Sequence, residues 1–219
     1  MGLPTVEIVD HYTTVNKVGP IRIGLSASLY RQLLDRPPLT AALINRLEIG
    51  LYTSETRGPD HFWGDDGEGT KGIVQLVYQD RTYRIYYLEG SHDSRLLPNI
   101  AGKAVVFLRM DSVKDGKGIE AVDSTMVSYT KLDNRILSGL AALLRPRIGA
   151  VVERKLIKGV ETVETVNRLS LFMRQHPDRV LFEAMDPPAL SADDVPFLKQ
   201  ALESVSHSSG PAPSGKPSP

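Results

Sequence analysis

The chain of 219 residues contains no cysteine, which excludes disulfides, thiol nucleophiles and cysteine-ligated zinc or iron–sulfur centres and fits a reducing compartment. It also lacks net charge, with 26 basic and 26 acidic side chains. Without a surplus of one sign there is no long-range field to gather nucleic acid or an acidic membrane, so no nucleic-acid partner is expected. No apolar run approaches the ~20 residues that cross a bilayer, so integral membrane association is not expected either, although transient membrane contact stays open. The opening MGLPTVEIVDHY has no basic start followed by an apolar stretch and does not read as a signal peptide. Met1-Gly2 resembles a myristoylation start, but Val6 stands where that signal needs a hydroxyl. A cytoplasmic protein is the expectation. Histidine is sparse: His11, His61, His92, His176 and His207 are scattered, no pair has the i, i+4 spacing of a helical metal clamp, and no metal or cofactor is implied.

What is present begins with a loop that mimics a phosphate cradle. Residues 64 to 72 read GDDGEGTKG, close to G-x-x-x-x-G-K-S/T, but Thr70-Lys71 reverses the last pair. Asp65, Asp66 and Glu68 would repel an anion, and IVQLVYQ after the loop is a strand, whereas a phosphate cradle opens a helix. A calcium loop fails as well, because Asp65-Asp66-Gly67 lacks alternating ligands. The loop reads as a turn between strands. GLSAS (24 to 28) misses the nucleophile-elbow pattern, and Ser26 reads as a helix cap.

Along the chain, VEIVDHYTTVN (6 to 16) is rich in β-branched residues and predicts a first strand. SASLYRQLLD (26 to 35) carries Leu29, Leu33 and Leu34 on one helical face behind a serine cap. Pro37-Pro38 ends that helix, and LTAALINRLEIG (39 to 50) forms a second with Gly50 as its C-cap glycine. Residues 51 to 132 are β throughout: LYTSETR, GIVQLVYQ, RTYRIYYLEG, AVVFLRMDSV and IEAVDSTMVSYTKL, joined as an antiparallel meander, with SHDSRLLPNIAGK an irregular excursion. Taking charged residues as the wet side, alternation turns Tyr83, Ile85 and Tyr87 inward opposite Arg84. It turns Val106, Leu108 and Met110 inward opposite Arg109 and Asp111, and Val74, Leu76 and Tyr78 inward opposite Gln75 and Gln79. His61-Phe62-Trp63, with the only tryptophan, reads as an aromatic hairpin tip, either a lid, a membrane or partner contact, or a plug for one end of the core.

A long helix follows. Ile148, Val152, Leu156, Val160, Val163, Val166, Leu169 and Met173 recur three or four apart, forming one apolar stripe on a helix of ~28 residues and ~42 Å, entered through Pro146 after a lead-in helix over 134 to 144. DRVLFEAM and SADDVPFLKQALESV, capped by Ser191, complete the fold. HSSGPAPSGKPSP (207 to 219) predicts a disordered tail. The expected organisation is a domain over 1–176, a short helical extension over 177–206, and the tail.

Strand, two short helices, curled antiparallel sheet and long C-terminal helix, with LEIGLYT, AGKAVVFLRM and SYTKLDN leading to LLRPRIGAVVERKL, resembles the START-like (helix-grip, SRPBCC) superfamily that includes polyketide cyclase and dehydratase-like and lipid-transfer proteins. The resemblance covers roughly residues 6 to 176. It implies an α+β fold with the sheet wrapped around the long helix and a cavity between them for a hydrophobic or amphipathic small molecule, and it carries over no residue-level site. The residues themselves supply candidates to line that cavity: Tyr78, Tyr83, Ile85, Tyr87, Val106, Leu108, Met110, Val152, Leu156, Val163 and Asn167, the tyrosines and Asn167 giving polar contacts. Their alternative is plain core packing. A non-catalytic carrier or sensor of a lipid or polyketide-like compound is the leading reading. The rivals are a cyclase or dehydratase-like enzyme with Tyr83, Tyr87 or His92 as acid/base, and a protein with a filled core that acts through its surface. Tyrosine with a pKa of ~10 is a poor base at neutral pH, which favours binding. Oligomeric state is not written in the sequence.

Overall fold

The first strand of the chain pairs with the last, and this sets the architecture. A computed structural model describes residues 4–93, 99–116, 118–133, 164–186 and 190–208. In chain order these form α1 (Pro4–Asp10), β1 (Thr14–Ile23), α2 (Ala27–Leu34), α3 (Pro37–Arg46), β2 (Thr53–Gly58), β3 (His61–Asp65), β4 (Thr70–Gln79), β5 (Tyr83–His92), β6 (Ile100–Lys114), β7 (Glu120–Leu132), α4 (164–175), α5 (Pro177–Met185) and α6 (Asp194–Ser208). The seven strands make one sheet in the order β1-β7-β6-β5-β4-β3-β2, every neighbouring pair antiparallel. Because β1 and β2 are opposite edges, α2 and α3 carry the chain from one edge to the other. The protein is α+β, an arrangement consistent with a helix grip; of the predicted long helix only 164–175 is described.

Local chemistry explains the crossover. Ser26 accepts a hydrogen bond from the Leu29 amide at 3.3 Å and starts α2, whose Leu29, Tyr30 and Leu33 are buried. Pro37 then occupies the first turn of α3, where its missing N–H costs nothing, so the proline pair begins a helix as well as ending one. The C-terminal reversal of α3 falls at Glu48, whose φ is 57° and whose neighbour Ile49 donates to the Ile44 carbonyl at 2.9 Å, two residues before the glycine predicted for that role.

The inner side of the sheet carries Leu108, Met110 and Val122, which join Leu29, Leu33, Leu43, Leu169 and Met173 in one apolar cluster. Val180, Ala184, Leu198, Ala201 and Leu202 belong to the same cluster, so α5 and α6 share the core of the sheet domain. Ser191 accepts from the Asp194 amide at 3.3 Å, the expected cap of α6, and Arg36 docks on that helix through Asp194 at 3.8 Å and the Phe197 ring at 4.3 Å. On the described part of the predicted stripe, Leu169 and Met173 are fully buried and Val166 packs against the cluster. The stripe from Ile148 to Val163, the lead-in helix and Pro146 lie outside the described residues, as does the tail beyond Ser208.

One predicted strand is corrected. Residues 4–10 are helical, and β1 begins at Thr14. α1 lies against β6 and β7 on the outer side of the sheet, with Ile8 2% exposed, Glu7 paired to Lys131 at 2.7 Å and Tyr12 edge-on to Tyr129. Those contacts override the β propensity of Val6, Ile8 and Val9.

Candidate functional site

The largest buried polar side chain is a cation. Arg84 on β5 is 2% exposed, although its charge marked it in the sequence as facing water. The register explains the reversal. Arg84 stands opposite Leu108, and Tyr86 opposite Val106 and Leu76, so these residues share the inner face. Tyr83, Ile85 and Tyr87, opposite Arg109, Phe107 and Val105, share the outer one, correcting their predicted inward placement. Tyr78 is corrected for a second reason: β4 is irregular between Leu76 and Tyr78, so Leu76 keeps its inward partner Tyr86 while Tyr78 falls opposite outward Ile85. Tyr78 and Tyr83 are 50% and 42% exposed.

A buried guanidinium needs compensation. Arg84 Nη2 donates to Asp35 Oδ1 at 2.7 Å and lies 3.5 Å from the Arg31 carbonyl oxygen. Asp35 is the C-cap of α2 and Arg31 lies in its last turn, so the cation also meets the negative end of the helix. The Tyr86 hydroxyl interacts with the guanidinium as well, and burial raises the Tyr86 pKa against the opposing pull of Arg84. Deeper in, Tyr30 and Ser124 share a hydrogen bond of 3.3 Å, and burial pushes the Tyr30 phenol up to about 12. Arg84 Nε and Nη1, and Arg31 Nε, are buried without a hydrogen-bond partner among the described residues. The inner face around this cluster continues as half-buried Phe62, Val74, Leu76, Leu88 and Val106.

Of the remaining predicted residues, Leu108 and Met110 face inward and are buried, and Val106 faces inward half-buried. Asn167 is half-buried on α4 and accepts the Ser170 hydroxyl at its carbonyl oxygen, 2.7 Å, and at Oδ1, 3.4 Å. Val152, Leu156 and Val163 lie outside the described residues. His92 Nδ1 is 3.2 Å from the Thr70 hydroxyl, and Asp93 is occupied by Lys71 at 3.2 Å. Trp63 is not at a hairpin tip: it sits within β3, opposite Glu55 and Ile73. In the glycine-rich loop, Asp65 accepts from the Gly67 amide and Asp66 from the Glu68 and Thr70 amides, so these acids hold the β3–β4 turn. No group of three or more metal-ligating side chains occurs among the described residues.

Two open clefts are described, and neither lies at the predicted lining. The larger, about 280 Å³, is walled by Ile49–Tyr52, Asp66, Glu68 and the start of α4 at Glu164, Thr165 and Arg168. The smaller, about 160 Å³, lies between Ser26, Glu120, Arg174 and Ser204.

No protein-family model matches the chain, and no curated protein sequence does. Among solved structures, norcoclaurine synthase from Thalictrum flavum is similar at 12% identity, covering 78% of this chain and 94% of that one, with a TM-score of 0.29. At that score the likeness carries no weight of its own, and the α+β assignment rests on the sheet and helices described above. No helix among the described residues is long and apolar enough to cross a membrane.

Proposed function

We propose that the protein binds an amphipathic small molecule on the inner face of its sheet, holding the apolar part against Phe62, Val74, Leu76, Leu88 and Val106 and the polar end at Arg84, without transforming it. The observation that carries this reading is Arg84: a guanidinium 2% exposed, with Nε and Nη1 unpartnered among the described residues, set beside the apolar residues of the inner face. Buried donors without acceptors are rare in folded proteins, and a ligand acceptor is one way to satisfy them. Binding sites of this type are mostly apolar with few placed polar groups. The chemistry of the inner tyrosines supports a carrier over a catalyst, since burial moves Tyr30 and Tyr86 further above neutral pH and away from the range of a general base. Of the acid/base candidates of the enzyme reading, Tyr83 and Tyr87 stand on the other face, while His92 stands on the Arg84 side at the far end of β5, opposite Ile100 and with Nδ1 3.2 Å from the Thr70 hydroxyl.

Native mass spectrometry of the full chain purified from its own host tests this. A retained compound of a few hundred daltons, released on denaturation, is expected. A clean unliganded mass, together with no uptake of a dansylated fatty acid, would contradict it.

A further inference from the structure

The outer face of the sheet presents a second surface, independent of the inner one. Across it the register sets Trp63 beside Ile73, Gln75 beside Tyr87, Tyr78 beside Ile85, and Ile85 beside Phe107. Ile73, Tyr78 and Tyr83 are 37%, 50% and 42% exposed. α1 covers this face only over β6 and β7, which leaves the β3–β5 half uncovered by any described element. Antiparallel sheets with one wet face alternate apolar-in with polar-out. Here both faces are apolar, and a contiguous exposed patch of this kind marks an interaction surface.

We infer that this face is the contact of a symmetric dimer, with a second copy of the chain packed sheet to sheet. Two observations select that partner, and a third sets the strength of the contact. First, the charges flanking the patch are already paired on it, Glu89 with Lys103 at 3.5 Å and Arg109 with Asp111 at 2.9 Å. Each end of the stripe thus carries both signs, so an identical patch meets no net repulsion, and among the described residues no cluster of unpaired cations on this face greets phosphate groups. Second, the phenol hydroxyls are held locally, Tyr78 on Asp80 at 2.9 Å and Tyr87 on Glu89 at 2.7 Å. The rings are therefore preset anchors that need no polar partner opposite, the kind of aromatic residue that dominates protein–protein contacts. Third, the size sets the strength. β4 and β5 at ten residues each and β3 at five, ~4.8 Å apart and ~3.4 Å per residue, span about 400 Å², half the ~800 Å² per subunit of a stable interface and the scale of a contact that comes apart on dilution. Isologous closure uses up the patch on both copies, which an open, repeating contact would not.

Sedimentation velocity of the full chain over a hundredfold concentration range reads this out. The wild type is expected to run as a dimer that dissociates on dilution. Tyr83→Lys and Ile73→Lys, both at exposed positions, should each weaken the dimer at least tenfold with an unchanged circular dichroism spectrum. Phe182→Lys, 67% exposed on α5 and off this face, should leave it intact. As the chain has no cysteine, Tyr83→Cys gives one thiol per copy, and a short bis-maleimide should link two copies through it. A wild type that stays monomeric at ~200 µM overturns the inference. So does a dimer that survives both face substitutions, or a monomer that sediments with neutral phosphatidylcholine vesicles, which would assign the patch to a membrane surface.

Discussion

The two faces of this sheet are both apolar, yet they are built differently. On the inner face Leu108, Met110 and Val122 pack in one cluster with residues of α2 to α6, and the buried charge beside them, Arg84, is tied to the end of α2. On the outer face the rings of Tyr78, Tyr83 and Tyr87 stand in or near solvent, and their charged neighbours pair with each other. The contrast teaches that alternation identifies two sets of residues on a strand without saying which set is wet. Coverage by other elements decides that.

Several substitutions sharpen the contrast, beginning with the largest effect. Leu169→Ala, at a fully buried position on α4, should cost about 3 kcal/mol in denaturant unfolding. A cost below about 1 kcal/mol would mean that α4 does not close the inner face. Next comes pH. The Tyr30 phenol is raised from 10.0 to about 12 in the folded protein, so its contribution is fully present below pH ~10. As pH rises, the unfolded chain releases this proton first, and about 2–3 kcal/mol should be lost on passing through the folded value. The stability difference between wild type and Tyr30→Phe should therefore change across pH 10 to 12; a flat difference would place the phenol in contact with water.

Asp35→Asn should be milder, about 1–2 kcal/mol, because it weakens the partner of a buried guanidinium while Asp35 itself is 46% exposed and water can partly replace it. Ser26→Ala, which removes the α2 cap, should cost about 1 kcal/mol. Smallest of all, Tyr83→Ala on the outer face should change the monomer's stability by no more than about 0.5 kcal/mol. A loss comparable with that of Leu169→Ala would show that the outer face is core after all.

Much of the fold was legible. The strands from Thr70 to Leu132 follow from β-branched runs broken by turns, and the caps Ser26 and Ser191 follow from serine ahead of an apolar period. Three features were not legible, each for a physical reason. α1 is helical because Ile8 and Glu7 find partners on β6 and β7, contacts more than ninety residues away in sequence. The phase of β5 was misread because Tyr83, Ile85 and Tyr87 are as apolar as the inward set, and the charge of Arg84 was taken as a sign of water when α2 supplies its neutralising end. The irregularity between Leu76 and Tyr78 leaves no mark in composition, yet it turns Tyr78 over. The site inherits these errors: Val106, Leu108 and Met110 fall on the expected face, while Arg84 and Tyr86 could be found only by pairing β5 with β4 and β6.

Binding of a dansylated fatty acid to wild type and Arg84→Met, followed by fluorescence with circular dichroism as a check on folding, tests the account most directly. Saturable uptake of one probe per chain, weakened at least tenfold in Arg84→Met, is the predicted result. Saturable uptake that is equally tight in the folded variant would remove Arg84 from the site, and no saturable uptake by the wild type would contradict binding on the inner face.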